Sequence, residues 1–314
     1  MRKMAFIFPG QGAQYVGMGK DIALNYKQSE EIFDIANEIL RNDIKSLCFE
    51  GPEDELMKTE NTQPAILATS IAILKIIEES GIKADVTAGL SLGEYAALVY
   101  SGVLDFKETV ELVRKRGKYM QEVVPQGKGA MAAILGLDRE IVNTIIEECS
   151  VKGVIEGANY NCPGQIVLSG ETETIKLACD IAKDKGAKRA VILPVSAPFH
   201  CSLLKPAGEM LKKELENISI SDINVDIISN VTGNYIDNKD KVKELLINQV
   251  SNSVLWEDTI DLMIKDGINT FVEIGPGKTL TAFVKKTAKK HGVKVESFNI
   301  ENVDSLKEFL NTFK

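Results

Sequence analysis

The sequence predicts an α/β protein with a larger, mainly parallel sheet covered on both faces and a smaller β-α-β-β-α-β unit inserted into it. Three observations predict this. Short apolar runs alternate with long helical patterns from the start of the chain to about residue 125. Residues 127–195 change to a tighter rhythm, and after Ala197 the longer α/β text resumes. At 314 residues, 44% hydrophobic and 26% charged, the chain can bury one large and one small core, which excludes disorder and collagen.

In chain order, residues 5–8 read as a buried strand. Residues 64–80 read as a helix apolar nearly all round, with Pro64 in its first turn and Gly81 as its stop. Residues 86–88 form a short strand ending at Gly89, and 94–100 a helix closed by Ser101-Gly102. Asp105-Phe106-Lys107-Glu108 has the pattern of a capping box opening a helix that runs to about Val124. The middle section reads as strand 130–135, helix 139–149, strands 154–158 and 165–169, helix 171–185 and strand 189–193, which is the ferredoxin-like order. Beyond it come helix 203–216, strand 225–229, helices 240–249 and 257–266, strand 270–274 and a helix beginning near Thr279. The expected division is a large domain, 1–125 with 198–314, and a small one, 126–197.

Composition removes several function classes. With 37 basic and 45 acidic residues the net charge is −8, so no global positive field gathers nucleic-acid phosphates. No stretch reaches the roughly 18 apolar residues of a membrane helix, since residues 66–77 are interrupted by Thr69, Ser70 and Lys75. The apolar run before Pro9 is too short for a secretory signal, so a cytoplasmic protein is expected. Five cysteines without a C-x-x-C pair and only two histidines offer neither a disulfide framework nor a zinc site, and no metal is expected.

Gly89-Leu90-Ser91-Leu92-Gly93 fits G-x-S-x-G between an apolar strand and an apolar helix, where the motif has mechanical meaning. Its glycines permit the sharp turn that lifts the Ser91 hydroxyl, and the new helix points free N–H groups at the same spot. Ser91 is a candidate nucleophile; the competing reading is a structural turn serine. A serine needs a base, and histidine is the usual one. His291, after a basic helix and before Gly292, reads as a surface residue. His200 lies in Ser196-Ala197-Pro198-Phe199-His200-Cys201, where the small unit hands back to the large one, and is either the base or a buried structural histidine. Pro9-Gly10-Gln11-Gly12 follows the first strand but matches no phosphate-binding pattern. It suits an oxyanion hole built from the N–H groups of Gln11 and Leu92, or else a tight turn whose glycines serve sterics. Arg116, on the helix after Asp105, is a snorkelling or paired arginine, or a fork for a carboxylate.

Seven blocks in one order then carry a resemblance. They are F-P-G-Q-G-A-Q (8–14), G-x-S-L-G-E-Y (89–95), R-G-x-x-M-Q (116–121), G-A-M-A-A-I (129–134), N-x-N-x-P-G-Q (159–165), F-H-C-x-L-x-K-P-A (199–207) and E-I-G-P-G-K-x-L (273–280). On them the chain resembles, nearly end to end, the malonyl-CoA:acyl carrier protein transacylases of bacterial fatty acid synthesis, with a hydrolase-like large domain. The resemblance implies Ser91 as acyl-accepting nucleophile, His200 as its base oriented by the Gln249 carbonyl, and Arg116 as clamp on the malonate carboxylate. It also implies Gln11 and Leu92 as oxyanion hole and Met120 and Phe199 in the acyl pocket. Malonyl-CoA and acyl carrier protein are the implied substrates. No cofactor is implied, because coenzyme A arrives as the thioester and phosphopantetheine arrives on the carrier.

The chain departs from the family pattern at Leu90, where relatives usually carry histidine, and at Ser253, where they commonly carry proline; the second change should loosen a loop. Two other functions remain compatible with the residues: an α/β-hydrolase-type thioesterase or carboxylesterase, with an acid between serine and histidine, and a non-catalytic carrier-binding scaffold. Because both expected substrates are anionic, a local basic face is expected from Lys185, Lys188, Arg189, Lys285, Lys286, Lys289 and Lys290.

Overall fold

The computed structural model describes residues 3–195 and 197–313, so Met1, Arg2, Lys314 and Ser196 of the His200 segment lie outside it. Among the described residues the strands are β1 (Met4–Phe8), β2 (Val86–Gly89), β3 (Gly129–Leu135), β4 (Ile155–Cys162), β5 (Gln165–Glu171), β6 (Arg189–Ile192), β7 (Asp226–Ile227), β8 (Thr270–Ile274) and β9 (Glu296–Ile300). They form a five-stranded sheet, β7-β2-β1-β8-β9, parallel at every pairing, and a four-stranded antiparallel sheet, β4-β5-β3-β6.

The strand sequence of β1 explains the layering. Side chains alternate across a strand, so Met4, Phe6 and Phe8 enter the large core while Ala5 and Ile7 enter a second one behind the sheet. A parallel strand buried on both faces reads as one apolar run, as this one does. The helices Lys27–Leu40, Thr59–Glu79 and Phe106–Glu122 fill the first side, and Trp256–Lys265 with Thr279–Lys290 cover the other. In the small sheet, Ala130, Ala132, Ile134, Ile166 and Leu168 pack under the helices Arg139–Ser150 and Thr172–Asp184. Its opposite face gives Met131, Ala158 and Val167 to the large core.

The expected α/β class and the ferredoxin-like strand order are both present, while several boundaries differ for physical reasons. The helix expected from Pro64 begins at Thr59, so the proline stands in its second turn. Pro64 has no N–H for the Glu60 carbonyl, yet the turn before it is tied down by Asn61 donating to the Glu55 carbonyl and Thr62 to that of Leu56. Asp105 caps the next helix, accepting from the N–H groups of Lys107 and Glu108. Glu108 does not return the bond; its carboxylate accepts from the Ser219 N–H, so the box is half made. The expected strand 225–229 shortens to β7: Ile228 still donates to the Thr87 carbonyl but bridges to Tyr235, and the Ser229 N–H turns to the Asn234 carbonyl. At the C-terminal end, β9 and the helix Val303–Thr312 were not expected; the latter opens on a capping box between Asn302 and Ser305.

No described helix is long and apolar enough to cross a membrane. The five cysteines are buried with free thiols, and no metal-ligating cluster occurs among the described residues.

What this architecture does for function is bring the carboxyl ends of β1 and β2 together. Ligands of open α/β sheets gather at the carboxyl ends of the strands. Here the loops leaving β1 and β2 lie side by side, with the Leu90 N–H donating to the Phe8 carbonyl at 3.0 Å. The small sheet is tied to the same region: the Tyr160 N–H donates to the Val254 carbonyl at 3.0 Å and the Val254 N–H to that of Ala158 at 2.8 Å.

Candidate active site

The turn after β2 is as tight as its glycines allow. A Cβ on Gly89 would fall inside the backbone of Gly93, and one on Gly93 would fall inside the Phe8 carbonyl. Between them Ser91 takes φ 53°, a left-handed conformation that costs a non-glycine residue energy and persists only where its surroundings impose it. Asn230 imposes it. Its side-chain oxygen accepts from the Ser91 N–H at 2.6 Å and its amide donates to the Gly89 carbonyl at 2.7 Å, so one side chain spans the bend.

The Ser91 hydroxyl lies 2.8 Å from His200 Nε2, although 109 residues separate them. His200 Nδ1 lies 2.8 Å from the Gln249 carbonyl, which fixes Nδ1 as the protonated nitrogen and leaves Nε2 to accept from the serine. Burial, reinforced by the Arg116 charge and opposed by the Gln249 and Asn252 carbonyls, pulls the His200 pKa down to about 4. The imidazole is therefore neutral, and able to take a proton, at ordinary pH.

Arg116 is 1% exposed and makes no ion pair among the described residues. Its guanidinium donates to the Gln63 side-chain oxygen at 2.8 Å, the Gln249 side-chain oxygen at 2.9 Å and Ser91 Oγ at 3.2 Å, and it lies over the Tyr95 ring. A buried cation bonded directly only to neutral groups, its Nε without a partner among the described residues, has the chemistry to take an anion. Burial lowers its pKa from the usual arginine value, partly offset by Tyr95 and Glu94.

Gln249 joins these parts. Its side-chain amide donates to the Ser91 carbonyl at 3.0 Å and to Glu94 at 2.6 Å, while its backbone carbonyl holds His200. Glu94 also accepts from the Asn230 N–H at 3.1 Å. Burial pushes the Glu94 carboxyl up to about 7 against those hydrogen bonds, the Ser229 hydroxyl and the Arg116 charge. No carboxylate bonds the His200 ring among the described residues, which is not the arrangement of an acid-assisted hydrolase triad.

The remaining expected residues surround this cluster. A Cβ on Gly10 would strike the Leu90 carbonyl, so the loop bearing Gln11 lies directly against the serine turn. The Gln11 side chain points elsewhere, donating to Thr59 Oγ1 at 3.4 Å. Main-chain bonds of the turn run from Gly93 to Leu90, Glu94 to Ser91 and Tyr95 to Leu92, leaving the Leu92 N–H without an acceptor among the described residues. Met120, one turn along the helix from Arg116, is buried and lies 3.8 Å through its sulfur from the Gln63 amide. Phe199 is buried beside His200. Leu90 is half-buried and packs on the core behind the sheet. The Ser253 hydroxyl donates to the Gly157 carbonyl at 2.5 Å, so the expected loose loop is instead pinned to β4.

The expected basic face is partly spent. Lys185 pairs with Glu148, and Lys290 with Glu257 and Asp261. Lys188, Arg189, Lys285 and Lys289 are exposed.

Sequence reasoning did not single out Gln63, Glu94 or Asn230. Glu94 carried a signal: it is the only charged residue in the apolar helix Gly93–Tyr100.

A family model described as acyl transferase domain matches residues 5–310. The malonyl CoA-acyl carrier protein transacylase of Bacillus subtilis (strain 168) is 49% identical over 291 residues, 92% of each chain. That of Escherichia coli (strain K12) is 44% identical over 287 residues, 91% of this chain and 93% of its own. The crystal structure of the protein of that name from Clostridium perfringens matches with a TM-score of 0.95 at 49% identity, covering 99% of this chain and 97% of its own. A malonyl-transacylase solved with its type II PKS acyl-carrier protein matches with a TM-score of 0.95 at 39% identity over 99% of both chains. A match of this extent, over a serine, a histidine and a buried arginine gathered at the strand ends, places the chain in the acyl transferase family, among the malonyl CoA-acyl carrier protein transacylases.

Proposed function

We propose that this chain moves a malonyl group from malonyl-CoA to the phosphopantetheine thiol of acyl carrier protein through an ester on Ser91. Ser91 Oγ attacks the thioester carbonyl while His200 Nε2 takes its proton. The carbon–sulfur bond breaks and coenzyme A leaves as the thiol with that proton. The carrier thiol then attacks the ester with His200 again as base, and Ser91 recovers its proton. The N–H groups of Gln11 and Leu92 hold the oxyanion of each tetrahedral intermediate, aided by the N-terminus of the helix behind Ser91. Arg116 takes the malonyl carboxylate in the geometry in which it now holds neutral oxygens, and Met120 and Phe199 bound the acyl group.

The observation that carries this reading is the placement of the 2.8 Å Ser91–His200 contact within 3.2 Å of an arginine that makes no direct ion pair among the described residues. The nucleophile, the base and the charge that selects a carboxylated acyl group all come from the chain, so the reaction as written needs no cofactor. We assign residues 1–125 with 198–314 to the large domain and 126–197 to the small one, and place the protein in the cytoplasm, where its proposed substrates are found.

Intact mass after brief exposure to malonyl-CoA tests the reading. One malonyl adduct is expected on the wild type and none on Ser91→Ala, and adding carrier protein should discharge the adduct onto the carrier. Free malonate as the main product would make the protein a hydrolase, and absence of any adduct would make it a scaffold.

A further inference from the structure

Among the described residues Glu94 is the one carboxylate bonded into the site, and the mechanism above does not use it. It stands on the first turn of the nucleophile's own helix, 1% exposed. One oxygen receives the Gln249 amide at 2.6 Å and the Asn230 N–H at 3.1 Å; the other, Oε1, is buried without a partner among the described residues. Through the Gln249 amide this carboxylate faces the Arg116 guanidinium, which donates to the opposite end of the same amide at 2.9 Å. The amide cannot turn over, since its NH2 would then meet the guanidinium and its oxygen would meet the carboxylate.

We propose that Glu94 is the resident counter-charge of Arg116, a positioning residue that acts through Gln249 and sets how strongly the guanidinium takes a carboxylated acyl group over a neutral one. This rests on the malonyl-transfer reading. In the empty site one buried cation faces one buried carboxylate across an amide. When a malonyl carboxylate reaches Arg116, two anions share that cation and binding favours the form of Glu94 that carries a proton. Oε1, which makes no hydrogen bond among the described residues, is free to hold it, with the Ser229 hydroxyl as a neighbour of the carboxyl. By reciprocity of linked equilibria, protonation of Glu94 must in turn strengthen malonyl binding.

The other charged and titratable groups around it do not change in the relevant range. Arg116, from the helix Phe106–Glu122, stays charged, and the neighbouring Tyr95 is pushed up to about 12. His200, pulled down to about 4, is already neutral. Glu94 itself is raised to about 7 by burial, inside the window from pH 6 to 8.5. The malonyl carboxylate is ionised throughout that window.

The test is the ratio of kcat/KM for malonyl-CoA to that for acetyl-CoA, measured from pH 6 to 8.5 with carrier protein as acceptor. Contacts to coenzyme A cancel in this ratio. For the wild type it should fall as pH rises, on the order of tenfold if malonyl raises the Glu94 pKa by one unit. Glu94→Gln preserves both accepted hydrogen bonds and removes the charge. In that variant the ratio should stay at the high, low-pH value across the window. A wild-type ratio indifferent to pH, or a Glu94→Gln ratio that still falls with pH, overturns the proposal. Should the variant not fold, proton uptake by the wild type on malonyl loading in weak buffer at pH 7.5 decides: uptake supports it and its absence overturns it. A wild type that forms no malonyl adduct on Ser91 instead overturns the functional reading beneath.

Discussion

His200 and His291 carry the same imidazole into two different surroundings. His200 is 4% exposed, its Nδ1 held by a main-chain carbonyl and its other nitrogen turned to Ser91. His291, at the end of the helix Thr279–Lys290, keeps a quarter of its side chain in solvent and meets the Asp261 carboxylate at 2.7 Å. The difference lies in the charge of the partner. At His200 the Gln249 and Asn252 carbonyls only partly offset the burial and the Arg116 charge that lower its pKa. Buried, beside Arg116 and aimed by a neutral group, His200 is kept as a base; His291 belongs to a surface cluster with Lys290 and Asp261.

The largest effect should come from removing the base. His200→Ala should lower malonyl loading of Ser91 by at least about 10³-fold in rapid-quench assays. In the wild type, loading by acetyl-CoA, which carries no carboxylate, should stay level from pH 8 to about 5 and fall only as pH approaches the His200 value of about 4. A bend near 6.5 would mean that His200 is no more desolvated than an ordinary surface histidine and would erase the contrast. Arg116→Ala should cost on the order of 10²-fold in kcat/KM with malonyl-CoA, far less with acetyl-CoA. It should also move the bend of the acetyl profile upward, because the Arg116 charge is one reason the His200 pKa is low. Asn230→Ala releases the Ser91 N–H and the Gly89 carbonyl, and should cost about 1–3 kcal/mol in denaturant unfolding and about tenfold in loading. The smallest change is expected at the other histidine: His291→Ala breaks a partly exposed pair and should shift stability by less than about 1 kcal/mol with loading unaltered.

The parts of this molecule legible in its sequence are those fixed by local rules. Strand β8 matches its expected bounds because an apolar run in a parallel sheet depends on little beyond its own residues. The helix at Thr59 escaped because its first turn, Thr59-Glu60-Asn61-Thr62, is polar; it is held by side-chain bonds to Glu55 and Leu56 that no periodicity reveals. At the site, Ser91 announces itself by its flanking glycines and His200 by elimination between two histidines. Gln249 entered only through family resemblance. Asn230 and Gln63 were missed because each acquires its task from partners far along the chain, Ser91 in one case and Arg116 in the other. A solitary acid in an apolar helix was a visible flag, though what it faces could be read only from the fold.

The ties between Val254 and β4, with the Ser253 hydroxyl added at Gly157, have a mechanical consequence. They fasten the small sheet to the short stretch of chain that starts at Gln249, whose carbonyl aims the imidazole. The small sheet and the imidazole therefore share one support, and a substitution that shifts Val254 against β4 acts on the aiming of His200 as well.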